Sequence, residues 1–361
     1  MKYIILLLAF IFISNKVNSQ QIFRLNSGLA QKLQTTLNGQ NGDLSAAVIF
    51  PNGDIWEGTT GFSYDTITIK KEMLFNIGSI TKTFTAAAIL KLADEGKVSL
   101  EDSLFRWIPS FKYIDSSITI RQLLNNTSGI FDFVDSLSFY DTLLSMPDKI
   151  WTPEEVIRSF LQEPVFPKGT AGRYSNTNYL LAGIIIYKVA GKNLSTVFRE
   201  NFFEPLKLNS TFLYPDENYA GEICQFDPAS QPYILSLSKA SLSCAGAAAG
   251  LLSRPHDMVK WAKAIYSGDL ISSSSLKDMT TFHRLSQQSR INYGLGTECI
   301  DFKKNKKIVH ALGHDGEWAH RSIVAYIPED SIAIAVCRKQ DSHVFNVFQA
   351  LYKTICDSLL K

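Results

Sequence analysis

Strand-like segments crowd the two ends of this chain, and its long middle is nearly without them. Near the start, Leu44 to Phe50 and Asp54 to Gly58 flank Pro51-Asn52-Gly53, a turn sequence that predicts a β-hairpin. Near the end, Tyr293 to Cys299, Ile308 to Ala311, Ser322 to Ile327 and Ile332 to Cys337 read as strands. Between them, Ile118 to Leu124, Pro153 to Leu161, Asn178 to Ala190 and Leu194 to Phe203 have helical spacing and are separated by Pro/Gly/Ser loops. Only Thr211 to Tyr214 hints at a strand there. Strands at both termini predict one α+β domain built from residues 20–106 and 241–361. Its antiparallel β-sheet would be flanked by helices at Leu25 to Leu37, Pro255 to Ile265 and His343 to Leu359. Residues 107–240 would form an inserted, mainly all-helical domain. With 361 residues, 45% of them hydrophobic, the chain can fill a core of that size.

The first residues predict a leader. Lys2 precedes an apolar run, Tyr3 to Ile13, too short to span a bilayer, and Val17-Asn18-Ser19 offers a cleavage site before Gln20. Residues 1–19 are expected to be a signal peptide and the remainder to be exported, periplasmic or secreted, with no later membrane span. A formal net charge of +2 excludes a strongly basic nucleic-acid binder. The nearest basic run, Lys303-Lys304-Asn305-Lys306-Lys307, reads as a solvated turn between strands. The five cysteines are an odd number, so at least one is unpaired; they are expected to be buried apolar residues or to include one bridge.

One lysine is out of place. Lys82 falls in the first turn of an apolar helical stretch that begins around Ser79 and ends near Gly96. There it opposes the positive end of the helix dipole and lies where an ammonium is costly unless paired. Ser79 is one turn away on the same face, which suits a serine nucleophile beside a base. The plainer readings are Ser79 as a helix cap and Lys82 as a surface lysine. Ser-x-x-Lys alone decides nothing, since it also begins at Ser236, Ser274 and Ser358.

Two motifs that occur once each raise the catalytic reading: Tyr174-Ser175-Asn176 and His314-Asp315-Gly316. Their plainer readings are a helix cap at Asn176 and a β-turn with Gly316 at positive φ. Taken in order, Ser79-x-x-Lys82, Tyr174-x-Asn176 and His314-x-Gly316 resemble the serine beta-lactamase family. The resemblance is nearest to its class C branch with the related D-alanyl-D-alanine carboxypeptidases and esterases. Ile118 to Gly129, Phe203 to Leu208 and Ala249 to Ser253 are also similar to family segments, with Asn126 in place of a frequent histidine.

The resemblance implies a serine hydrolase that forms an acyl-enzyme on Ser79 and attacks amide or ester bonds in D-alanyl peptides, β-lactams or small esters. Peptidoglycan stem peptides are among the candidate substrates. Lys82 and Tyr174 would be the proton carriers, and which of them is the resting base stays open. To act as a base at neutral pH the lysine must fall from about 10.4 to near 7, at a cost of about 4 kcal/mol. Asn176 would bind the substrate's amide or ester group. The backbone N–H of Ser79 and that of Glu317, after Gly316, would hold the oxyanion. His314, where many relatives carry lysine, would orient Tyr174 or bind a substrate carboxylate. Glu317 would narrow the site or repel anions, with Arg321 offsetting it or contacting a carboxylate. No cofactor and no metal is implied.

Other readings are weaker. There is no Gly-x-Ser-x-Gly elbow. His310 and His314, four apart around Ala311-Leu312-Gly313, do not make a zinc helix. Glu204-Pro205-Leu206-Lys207-Leu208-Asn209 reads as a loop. The rival from another class is a non-catalytic cell-wall-binding or sensor protein that keeps the fold.

Overall fold

A computed structural model describes residues 24–225, 237–285, 292–304, 307–339 and 344–359. The expected leader, residues 1–19, and Ser236 lie outside the described residues. The early hairpin forms as expected, with β1 (Leu44–Ile49) and β2 (Ile55–Thr60). Short strands β3 (Phe75–Asn76), β4 (Phe212–Leu213) and β5 (Leu251–Ser253) follow. The later strands are β6 (His283–Arg284), β7 (Asn292–Tyr293), β8 (Glu298–Lys304), β9 (Lys307–Glu317), β10 (Arg321–Ile327) and β11 (Ile332–Arg338). They join the hairpin in one antiparallel sheet of order β2-β1-β11-β10-β9-β8-β7-β6, while β3-β5-β4 make a small second sheet. The α+β class with a large antiparallel sheet and flanking helices is therefore the observed fold.

Alternation along β11 explains why helices cover both faces. Ile334 and Val336 point to one side, with Leu33 of the Ser27–Asn38 helix and Phe348 and Leu351 of the Val344–Leu359 helix. Ala333, Ala335 and Cys337 point to the other, toward Met258 and Ala262 of the Pro255–Tyr266 helix. The small alanines let that helix approach the sheet closely. Next inward lies the Thr81–Asp94 helix, which is apolar almost all round and buried almost all round. Phe84 stacks on Trp261 with ring centroids 3.7 Å apart, and the indole donates to Thr83 Oγ1 at 2.8 Å.

Residues after 106 are mainly helical, at Ile120–Leu124, Phe139–Ser145, Pro153–Phe160, Asn176–Ala190 and Leu194–Phe198. Their apolar residues run continuously into the core around Ile89 and Leu90. The segment Glu204–Leu206, expected as a loop, is a short helical turn that ends at Lys207 with φ 54°. The expected strand from Tyr293 to Cys299 is broken instead. Gly294 passes under the Met279 carbonyl and Gly296 takes φ 67°, which turns the chain before β8 begins. All five cysteines are free thiols and four are buried, so none forms a bridge. Among the described residues no single helix is long and apolar enough to cross a membrane.

Candidate active site

Ser79 stands on a one-turn 3-10 helix, Gly78–Ile80, between β3 and the Thr81–Asp94 helix. It had been expected to open the α-helix itself. The positive φ of Gly78, 54°, turns the chain off β3 first, so the α-helix starts two residues after Ser79. Ser79 is not a side-chain cap for this helix. Its hydroxyl instead meets Lys82 Nζ at 2.9 Å and accepts from the Tyr174 hydroxyl at 2.7 Å.

Lys82 does not snorkel; it is 0% exposed, while Ser79 and Tyr174 remain partly open. Its amine meets three oxygens: Ser79 Oγ, Asn176 Oδ1 at 2.7 Å and the Ala248 carbonyl at 2.9 Å. Ala248 lies at the end of the Lys239–Ala249 helix, where carbonyls have no intrahelical partner. Side chains supply the missing donors: Thr85 to Ala247 at 2.7 Å, Lys82 to Ala248 and Asn76 to Ala249 at 2.8 Å. A helix end thus serves as part of the lysine's cradle.

Asn176 is not a side-chain cap either. Its Oδ1 faces Lys82 and its Nδ2 donates to Asp132 at 2.9 Å. The amide oxygen and one of the two N–H donors are thus engaged within the protein, which places Asn176 beside the lysine as well as at the position expected to meet the substrate. Tyr174 is set by Asn126, which takes φ 61°, a conformation Asn tolerates better than most residues. Its carbonyl accepts from Arg173 N at 3.0 Å and its Oδ1 from Ser175 N at 3.1 Å, gripping the chain on both sides of the tyrosine.

His314 and Gly316 lie inside β9, not in a turn. Gly316 has no positive φ. Glycine is required by close approach: a Cβ there would fall 2.0 Å from the Ile77 carbonyl and 2.4 Å from Ser322 Oγ. A Cβ on Gly78 would fall 2.7 Å from Glu317 N. Two glycines therefore let the Ser79 turn press against β9 at Glu317. The Glu317 side chain is exposed and ion-paired with Arg321.

His314 is 1% exposed, which rules out its expected contact with a substrate carboxylate. Its Nδ1 contacts the Asp315 carbonyl, which can only accept, so Nδ1 carries the proton and Nε2 accepts from Tyr293 at 3.2 Å. The Tyr293 ring meets Tyr174 edge-on, with centroids 5.8 Å apart. The His314 ring also lies 6.2 Å from the Tyr174 ring, so His314 bears on Tyr174 both directly and through Tyr293. Glu298, His314 and Asp315 also gather their ligand atoms within 4.8 Å. That hydrogen-bond pattern leaves the imidazole no free lone pair for a cation.

Burial sets the protonation states. It lowers the Lys82 pKa to about 7, against the opposing pull of Asp132, Glu298 and Asp315. Burial pushes Tyr174 well above the usual phenol range, despite its bond to Ser79. Asp132 is raised to about 6 by burial, and Glu298 is held well above the carboxylate range by burial and by Asp315. His314 falls to about 3 through burial and the nearby Lys82 charge. At neutral pH the imidazole and the phenol are uncharged, and the amine is close to its midpoint.

The family model described as Beta-lactamase matches residues 36–350. The chain belongs to that family. Among beta-lactamase relatives, Penicillin-binding protein 4* of Bacillus subtilis (strain 168) is 28% identical over 316 residues, spanning 81% of this chain and 67% of its own length. Protein flp of Staphylococcus aureus (strain MW2) is 31% identical over 209 residues, 54% of this chain and 40% of its own. The D-amino acid amidase from Ochrobactrum anthropi SV3, complexed with D-phenylalanine, has a TM-score of 0.76 at 26% identity, covering 92% of this chain and 100% of that one. A D-stereospecific amidohydrolase from Streptomyces sp. has a TM-score of 0.73 at 27% identity, covering 91% and 99%. The relatives whose names state a role are thus a penicillin-binding protein, an amidase and an amidohydrolase.

Asp132, Tyr293 and Glu298 were not singled out from the sequence. Asp132 carried a signal: it is an acid within the apolar run Ile130-Phe131-Asp132-Phe133-Val134. Glu298 and Tyr293 sat in a segment that read only as a strand.

Proposed function

We propose that this chain is an exported serine hydrolase that forms an acyl-enzyme on Ser79, with neutral Lys82 as the resting base. The observation that carries the reading is the buried amine 2.9 Å from a partly open serine hydroxyl, with its pKa lowered to about 7. A neutral amine has two donors and one lone pair. The donors match Asn176 Oδ1 and the Ala248 carbonyl, and the lone pair matches the Ser79 O–H. Tyr174, protonated, donates to Ser79 Oγ.

Attack then proceeds as follows. Ser79 Oγ bonds to the acyl carbon while its proton passes to Lys82. The oxyanion is taken by the backbone N–H groups of Ser79 and Glu317, which the close contact at Gly78 and Gly316 brings together. Tyr174 relays a proton from Lys82 to the leaving amine or alkoxide as the C–N or C–O bond breaks. Water enters by the same route for deacylation, losing its proton toward Tyr174 and Lys82, and Ser79 is restored.

The mouth of the site favours neutral or amine-bearing substrates. His314 is buried and uncharged, and Glu317 puts a carboxylate on the open side. An amide or ester of a D-amino acid with a free amino group suits this charge pattern better than an anionic β-lactam. The D-amino acid amidase likeness supports that direction.

The test is a labelling and hydrolysis panel. A fluorophosphonate should acylate Ser79 in the wild type and not in Ser79→Ala. D-phenylalanine amide, a D-alanyl-D-alanine peptide, nitrocefin and a nitrophenyl ester then rank the substrates. A folded protein that takes no label and turns over none of them is the cell-wall-binding or sensor protein of the rival reading.

A further inference from the structure

The β8–β9 hairpin carries a second group of chemically active side chains, separate from Ser79. Cys299 and Asp301 are two apart on β8 and so share one face of the strand. The register sets His310 of β9 directly opposite Asp301. Asp301 and His310 are open to solvent and Cys299 is half-buried. Cys299 Sγ is 3.3 Å from Asp301 Oδ1 and 4.0 Å from His310 Nδ1, and Nδ1 is 2.7 Å from the same Oδ1.

A thiol, an imidazole and a carboxylate can form a nucleophilic relay or a cation site, and the geometry separates the two. A relay needs the imidazole to bridge, with one nitrogen on the thiol and the other on the carboxylate. At this hairpin the same nitrogen faces both partners, and the thiol also points at the carboxylate. Three ligand atoms therefore converge on one point instead of lying in sequence. Tetrahedral zinc with its usual bond lengths separates neighbouring ligand atoms by about 3.3–3.7 Å. The observed separations of 2.7, 3.3 and 4.0 Å bracket that range, so rotamer-scale adjustment brings all three to a common ion.

We propose that Cys299, Asp301 and His310 bind a zinc ion, with the fourth position open to water. Magnesium and calcium are disfavoured because they prefer all-oxygen ligands, whereas mixed sulfur, nitrogen and oxygen suits zinc. Binding is a ligand exchange without redox change: the thiol releases its proton to solvent, the sulfur bonds to the ion, and His310 loses the Nδ1 proton that Asp301 accepts, takes one from solvent on Nε2, and donates the freed Nδ1 lone pair. Affinity therefore rises with pH. The ion would clip β8 to β9 about 13 Å along the strand from His314, steadying the strand that presses on the Ser79 turn.

Cobalt provides the readout. The full chain, reduced and stripped of metal, is titrated with Co²⁺. One equivalent should bind with a thiolate-to-cobalt charge-transfer band that Zn²⁺ displaces. Both Cys299→Ser and His310→Ala should lose that band while Ser79 still takes a fluorophosphonate. Asp301→Asn serves if either variant is poorly folded, and should weaken binding by about tenfold or more. A wild type that binds no cobalt, or a Cys299→Ser variant with an unchanged band, overturns the site without touching the Ser79 reading.

Discussion

Asn176 presents its amide oxygen to Lys82 at 2.7 Å because Asp132 holds the amide nitrogen at 2.9 Å. A carboxylate can only accept, so Asp132 fixes which end of the amide faces the lysine. Its charge also raises the Lys82 pKa against the effect of burial. Asp132→Asn should therefore do two things. Acylation should slow by about 10- to 100-fold as Asn176 loses its fixed orientation, a loss of about 1.4–2.7 kcal/mol. The acid limb of the rate profile, near pH 7 in the wild type, should move to lower pH. Stopped-flow acylation across pH 5–9 checks both, and a limb that moves upward removes Asp132 from this role.

The lowered Lys82 pKa also has a stability consequence. The unfolded lysine keeps its proton up to about 10.5, while the folded one loses it near 7. Between those values the unfolded state binds more protons, so this group adds stability as pH rises through the window. Below about 7 both states are protonated and the full burial penalty stands. The stability of the wild type relative to Lys82→Met should thus climb from pH 7 to 10, by up to about 4 kcal/mol. Urea unfolding of both proteins at several pH values measures it, and parallel curves would contradict a lowered pKa.

The sheet was legible because its strands carry their own period and the Pro51-Asn52-Gly53 turn its own signal. The site was legible only where motifs are contiguous, at Ser79-x-x-Lys82, Tyr174-x-Asn176 and His314-x-Gly316. What escaped depends on distant partners. That Asn176 faces Lys82 and is held by Asp132 cannot be read from local spacing. His314 looked available because burial by Tyr293 and Glu298 arises from β7 and β8 closing beside β9. Gly316 looked like a turn glycine, since a demand for close approach leaves the same residue as a demand for positive φ.

That last distinction is testable by comparing two glycines. Gly316→Ala would put a methyl 2.0 Å from the Ile77 carbonyl, whereas Gly53 has φ 91° with nothing within 4 Å. Gly53→Ala should cost only about 1 kcal/mol of backbone strain and leave labelling of Ser79 intact. Gly316→Ala should cost about 1–3 kcal/mol and slow labelling by a hundredfold or more, because β9 must retreat from the Ser79 turn. Thermal melts and phosphonate labelling rates separate the two. Equal labelling rates would mean that the close contact does not set the oxyanion site.

Substrate choice should turn on the pair of Glu317 and Arg321. Their side chains are ion-paired at the open end of β9 and β10, and Glu317 is the more exposed. Removing the acid frees Arg321 from its ion pair beside the site, so Glu317→Ala should improve kcat/KM for anionic acyl donors about tenfold relative to a neutral ester. Arg321→Ala should move the ratio the other way, since the free carboxylate then repels anions more strongly. Both shifts should shrink in high salt, because these charges face solvent. The measurement is the ratio of nitrocefin to nitrophenyl ester turnover in the three proteins at two ionic strengths. An unchanged ratio in both variants would remove this pair from substrate selection and leave the choice to the shape of the cleft.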